Sequence, residues 1–230
     1  MNKTIMTSII VFVAILLIWI GWSFYIIRGV ESPAYEVVSQ HESGYEIRKY
    51  APYLIAEVEV EGDFDAAINN GFRLVADYIF GNNQAAESVA MTTPVLEGEV
   101  DETLGGDGEA IAMTTPVLEG ETMSGKRTVA FVMPAKYTLE TIPKPNNSQV
   151  QLKEIDAKTV AVLQFGFFPT ANRVEKYKAK LQALLTEQGL EFVGTPKFAG
   201  YNPPFSFPFL IRNEVQLELK NPSAKPVRSK

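Results

Sequence analysis

Apolar residues fill the start of the chain without interruption and then settle into alternating rhythms. Residues 5–27, IMTSIIVFVAILLIWIGWSFYII, carry no charge. As a helix rising ~1.5 Å per residue, this stretch reaches ~35 Å, enough to cross a hydrocarbon core of ~30 Å. Trp19, Trp22 and Tyr25 gather in its second half, where an interfacial aromatic belt is expected. A cleaved signal peptide has a shorter apolar region, ~7–15 residues, and a small-x-small site, which Ser23-Phe24-Tyr25 is not. The reading is a retained single-span anchor over residues 1–28 and a linker over 29–34. Lys3 precedes the span, while Arg28 is followed closely by Glu31 and Glu36. That asymmetry points to an inside N-terminus and an extracytoplasmic domain.

After the linker a period of two takes over. Residues 35–39 and 45–50 read as a hairpin about a polar turn at 40–44, and 53–61 alternates apolar with acidic side chains. Asp63 then opens a helix as its N-cap, Ile68, Phe72, Val75 and Ile79 form one stripe, and Gly81 closes it. Further strands are predicted at 127–133, 150–155 and 159–165. A second helix covers 171–188, with Val174, Tyr177, Leu181 and Leu184 or Leu185 on one face, and stops at Gly189. Residues 192–198 are strand-like with a break at Gly194, 205–209 form an aromatic-proline loop, and 213–219 alternates again. Residues 220–230 are basic and read as a disordered tail. Strands, helix, strands occur twice, so the fold class is α+β: a curved antiparallel sheet with two helices, built from two similar halves.

One decapeptide, AMTTPVLEGE, occupies residues 90–99 and returns letter for letter at 112–121. Each copy reads as a short strand interrupted by Pro94 or Pro116 and ending in turn chemistry at Glu97-Gly98 or Glu119-Gly120. The acidic, glycine-rich DETLGGDGE between them is predicted to be a loop joining two neighbouring strands. Two readings remain open: a duplicated β segment without a role of its own, or paired edges lining a pocket through Met91 and Met113.

Composition narrows the function. Net charge is −6, and setting aside Lys3 and Arg28 leaves 19 basic against 27 acidic residues in the remainder. That balance is a poor match for a phosphate backbone, so no nucleic-acid partner is expected. The chain has no cysteine and one histidine, His41, which argues against thiolate chemistry, multi-histidine metal sites and a Ser-His-Asp arrangement. His41 falls in a hairpin turn. Glu57, Glu59 and Glu61 fit a wet strand face. Arg73 follows Phe72 on the first helix, where it either snorkels into solvent or holds an acidic group above an apolar surface.

Several segments in order, YEIRKY at 45–50, the repeated AMTTPV, FVMP at 131–134 with YTLETIP at 137–143, and GYNPP at 200–204 followed by RNEV at 212–215, resemble the SOUL haem-binding family over residues 35–219. The resemblance implies a distorted antiparallel β-barrel with two helices and a non-covalently bound haem or other tetrapyrrole beside the first helix. It implies a binding face of Asn69, Phe72, Arg73 and Ala76, with Met113 of the repeat and Tyr201 of the GYNPP loop nearby. It implies no established reaction and no metal ligand, since Lys49 stands where some members carry an iron-ligating histidine. The expected function is a membrane-anchored tetrapyrrole carrier, buffer or sensor, not an enzyme. The alternatives are a membrane-tethered interaction module recruiting a protein partner by strand addition, or an enzyme on a small hydrophobic molecule with Glu46 or Glu57 as base.

Overall fold

The computed structural model describes residues 3–84, 108–122, 125–203 and 205–220. The uncharged stretch is one helix, α1 (Lys3–Ile27), whose side chains are almost all exposed. The linker after it is tied to the domain, since Thr115 N–H donates to the Glu31 carbonyl and Ala135 N–H to its carboxylate. Strands β1 (Tyr35–Gln40), β2 (Tyr45–Tyr50) and β3 (Tyr53–Val60) follow, then helix α2 (Phe64–Ile79). Asp63 caps α2 by accepting from Ala66 N–H at 2.9 Å, which satisfies one of the orphan donors of the first turn. A two-residue strand β4 (Asn83–Gln84) leads out of the first described stretch. β5 (Val117–Glu121), β6 (Arg127–Val132), β7 (Lys144–Pro145), β8 (Gln151–Ile155) and β9 (Lys158–Phe165) precede helix α3 (Ala171–Glu187). β10 (Phe192–Gly200) and β11 (Asn213–Leu219) complete the domain.

Nine strands form one antiparallel sheet in the order β1-β2-β9-β11-β10-β5-β6-β3-β8, with β4 and β7 as a separate pair. The two halves are visible in that order. In each, a strand leads through a helix into a hairpin, and the last strand of the hairpin lies in the middle: β3, β6, β5 in the first half, β9, β11, β10 in the second. The strand preceding each half is exchanged. β2 runs into β3 along the chain yet pairs with β9, and β8 runs into β9 yet pairs with β3. Among the described residues the sheet ends at β1 and β8, so it is open, and the expected barrel is not closed by hydrogen bonds.

Register assigns the faces, because residues opposite one another in an antiparallel pair share a side. Phe198 lies opposite Glu119, and Glu119 opposite Val129. Phe198 packs in the core under α3, and Val129 in the core under α2. Both helices therefore cover one face of the sheet. The other face carries Tyr50, Ile55, Leu118, Ala130, Val132, Val160, Val162, Ala199 and Tyr201.

The repeat behaves differently from the expectation. In the second copy, Met113 to Pro116 are not strand, the strand begins at Val117, and Glu119-Gly120 lie inside β5 instead of forming a turn. Glu119 is fully buried. Its carboxylate is bound by Arg127 at 2.5 Å and by Lys178 of α3 at 3.3 Å. Two partners carry the burial cost of one charge, and removal of either leaves it undercompensated. The first copy and the DETLGGD segment lie outside the described residues, so the pairing of the two copies does too.

Candidate functional site

Helix α2 carries four of the expected site residues. Its inner stripe, including Ala67, Val75, Tyr78 and Ile79, packs on β3 and β6. Gly71 makes the approach close: a Cβ there would lie 2.5 Å from the Val129 side chain. The outer surface presents Asn69 and Arg73, both exposed. Phe72 sits at the seam, half-buried, with its ring 5.1 Å from that of Phe131 and tilted 57° to it. No ion pair engages Arg73 among the described residues. Ala76, one turn beyond Phe72, is fully buried, so it gives the packing beneath the seam but no open surface.

Met113 is 45% exposed. It sits between two anchored neighbours. Ile111 N–H donates to the Ile79 carbonyl at the end of α2, and the Thr114 hydroxyl donates to the Val132 carbonyl of β6. Met113 therefore belongs to the α2 end of the domain. Tyr201 does not. It packs with Ile55, Leu118, Ala130 and Val132 on the sheet face away from the helices. The structure groups Asn69, Phe72, Arg73 and Ala76 on one helix, brings the Met113 segment to its end, and separates Tyr201 by the thickness of the sheet.

On that far face Tyr201 joins a buried charge network that the strand pattern alone did not reveal. Glu214, fully buried, accepts from Arg48 Nη1 at 2.9 Å, Arg212 Nη2 at 2.6 Å, Tyr201 Oη at 2.8 Å and Gln216 Nε2 at 3.1 Å. Arg48 also pairs with Glu46 at 2.7 Å, and its guanidinium lies 4.5 Å over the Tyr35 ring. Burial alone would raise the Glu214 pKa, but Arg212 and Arg48 outweigh it and hold the carboxyl below its ordinary range. Burial and the adjoining Glu214 push the Tyr201 phenol far up. Period-two alternation places Glu214 and Gln216 together, but only the pairing of β2 with β9 and β9 with β11 brings Arg48 to them. The neighbouring hollow, lined by Tyr53, Ile55, Leu118, Lys158 and Lys197, has a volume of about 20 Å³. That is room for about one water, not for a macrocycle.

His41 lies on the β1–β2 hairpin. Its ring stacks on Tyr45 at 4.1 Å, and Nε2 is 3.1 Å from the Ser39 hydroxyl. Partial burial lowers its pKa. Of the acids considered as bases, Glu46 is held by Arg48, and Glu57 pairs with Lys153 at 2.5 Å.

Known proteins can be set beside this geometry. Human heme-binding protein 2 is 29% identical over 203 residues, covering 86% of this chain and 90% of that protein. Heme-binding protein 1 of Xenopus laevis is 25% identical over 194 residues, covering 83% and 93%. Among solved structures, the C-terminal domain of EcmrR superposes with a TM-score of 0.52 at 10% identity, covering 81% of this chain and 98% of that one; this is a likeness of fold. A profile described as SOUL heme-binding protein matches residues 30–218, and with so much of the chain inside that match, it belongs to the SOUL heme-binding protein family.

Proposed function

We propose that this chain is a membrane-anchored haem- or tetrapyrrole-binding protein, a carrier, buffer or sensor, with the ligand seated against α2. The observation that carries the reading is the outer edge of that helix. A partly buried aromatic ring, Phe72, stands beside Arg73, an exposed cation with no ion pair among the described residues. A porphyrin needs an apolar surface for its ring and a cation for its carboxylates, and these neighbours supply both. Phe72 packs against the ring. Arg73 pairs with a propionate, and Asn69 adds a polar group on the same edge. Ala76 keeps the helix packed beneath Phe72. The bound macrocycle would supply light absorption and iron redox chemistry, while the residues named here bind and orient it. The relatives named as heme-binding proteins support this reading.

The anchor half of the proposal rests on α1, long and apolar enough to cross a bilayer. Charge asymmetry about it favours an extracytoplasmic domain. The test is a haemin titration of the full chain in detergent, followed at the Soret band, beside the Phe72→Ala and Arg73→Ala variants. Saturable binding weakened by both substitutions is the expected result. Binding unchanged in both variants sinks the α2 site, and no saturable binding sinks the function.

A further inference from the structure

Helix α1 does not stand clear of the domain. Trp19 Nε1 donates to the Phe205 carbonyl at 2.8 Å, and Phe207 N–H donates to Ser23 Oγ at 2.8 Å. The Trp19 and Phe207 rings meet edge to face at 5.1 Å, and Ser23 is fully buried in the contact. From there a chain of rings runs outward, Phe207 to Phe209 at 5.6 Å and Phe209 to Phe167 at 4.8 Å. Phe209 is 72% exposed and Phe167 39%, and Phe205 and Phe168, next to them along the chain, are 87% and 50% exposed. Phe167 and Phe205 both hold positive φ, 65° and 66°, a conformation that bulky residues rarely adopt and that costs free energy.

The depth of this contact follows from helix geometry. Counting ~20 residues of hydrocarbon from Ile5 brings the far boundary near Phe24. Trp19 then lies roughly 7 Å inside that boundary and Ser23 close to it, at ~1.5 Å per residue. A loop bonded to both residues reaches the same depth. There a backbone N–H or C=O must be paired, and Phe207 N–H and Phe205 C=O are paired with side chains of the helix itself.

We propose that Phe205, Phe209, Phe167 and Phe168 form a second membrane contact, which seats the domain on the bilayer that α1 crosses. The occupant of this face is the lipid interface. The proposal rests on the anchor reading of α1 given above. It adds that the domain is held against the membrane and does not swing on the linker.

The cysteine-free sequence suits single-cysteine labelling. Phe209→Cys and Phe205→Cys replace exposed rings, and Glu187→Cys, at the far end of α3 and ~25 Å along it from the Phe168 loop, serves as reference. The full chain, labelled with bimane, is reconstituted in phosphatidylcholine–phosphatidylglycerol vesicles. Quenching by a shallow acyl-chain nitroxide is compared with quenching by aqueous iodide, and alkaline carbonate extraction is run in parallel. The expected result is a membrane-retained protein whose 205 and 209 labels are quenched severalfold more by the nitroxide than the 187 label, and severalfold less by iodide. Retained protein with the two loop labels as open to iodide as the reference overturns this proposal alone. Loop labels shielded from both quenchers overturn it in favour of contact between copies. Release by carbonate overturns the anchor reading and this proposal with it.

Discussion

Gly71 of α2 lies so close to Val129 of β6 that a methyl group on its Cα would come 2.5 Å from the valine Cβ. The obstacle is the branched root of a strand side chain and cannot rotate aside. Gly71→Ala gains up to ~1 kcal/mol of helix propensity, but overpacking of this kind costs about 1–3 kcal/mol or more. A net loss is expected as a lower urea midpoint at unchanged slope. Adding Val129→Gly, which removes that Cβ, should recover part of the loss contributed by Gly71→Ala, a coupling readable in a double-mutant cycle.

Phe72 should separate stability from binding. Its ring is partly buried on Phe131, so Phe72→Ala should cost about 2–3 kcal/mol, below the ~3–5 kcal/mol of a fully buried phenylalanine. Arg73→Ala should leave the urea midpoint alone. Because Arg73 is exposed, its pairing with a carboxylate is worth ~0.5–1 kcal/mol, so haemin affinity should fall roughly twofold to fivefold. A large stability loss in Phe72→Ala with haemin binding intact would return this ring to the core.

Glu214 gives the domain an acid limit. Its native pKa is depressed, so its contribution is complete above the ordinary glutamate value of 4.5. Below that value the unfolded chain takes up the proton first and stability declines, until the pH falls through the lower native value and the contribution is gone. Glu214→Gln should cost about 3–5 kcal/mol at pH 7, because Arg48 and Arg212 lose the buried carboxylate between them and Arg48 keeps only the partly exposed Glu46. Urea midpoints from pH 7 to 3 should fall less steeply in this variant than in the parent. A parallel decline would mean that other carboxylates set the limit.

His41 should be silent in ligand binding. His41→Phe keeps the stack on Tyr45, gives up the contact with Ser39, and should change stability by less than about 1 kcal/mol. Haemin titrated into this variant should give the parent Soret band. A displaced band would move the site to the first hairpin.

Local chemistry made much of the fold legible. Asp63 caps α2, Gly81 and Gly189 follow the two helix ends at positive φ, and Gly194 sits where β10 loses register with β11. Each is a signal written within a few residues. Glu119 shows the limit. A Glu-Gly pair reads as a turn, and the residue becomes a buried strand position only because Arg127, 8 positions on, and Lys178, 59 positions on, reach its carboxylate. For the candidate site, Asn69, Phe72, Arg73 and Ala76 do lie on one helix, but Asn69 and Arg73 are exposed while Ala76 is buried. Helical spacing said nothing of where Tyr201 falls, because that depends on strand order. The burial of Ala76 depends on tertiary packing in the same way.

The exchange of β2 and β8 between the halves also sets an order in time. When Val132 has been made, β3 still lacks the neighbour that β8 will provide, and β2 lacks β9. At ~5–20 residues per second, the chain from Val132 to the end of β9 at Phe165 takes roughly 2–7 s to make. Until β8 and β9 have been made, the nascent chain shows these strand edges open, the surfaces on which stray chains pair. Were α1 held in a bilayer as proposed above, those edges would wait beside the membrane, where few other half-made copies reach them.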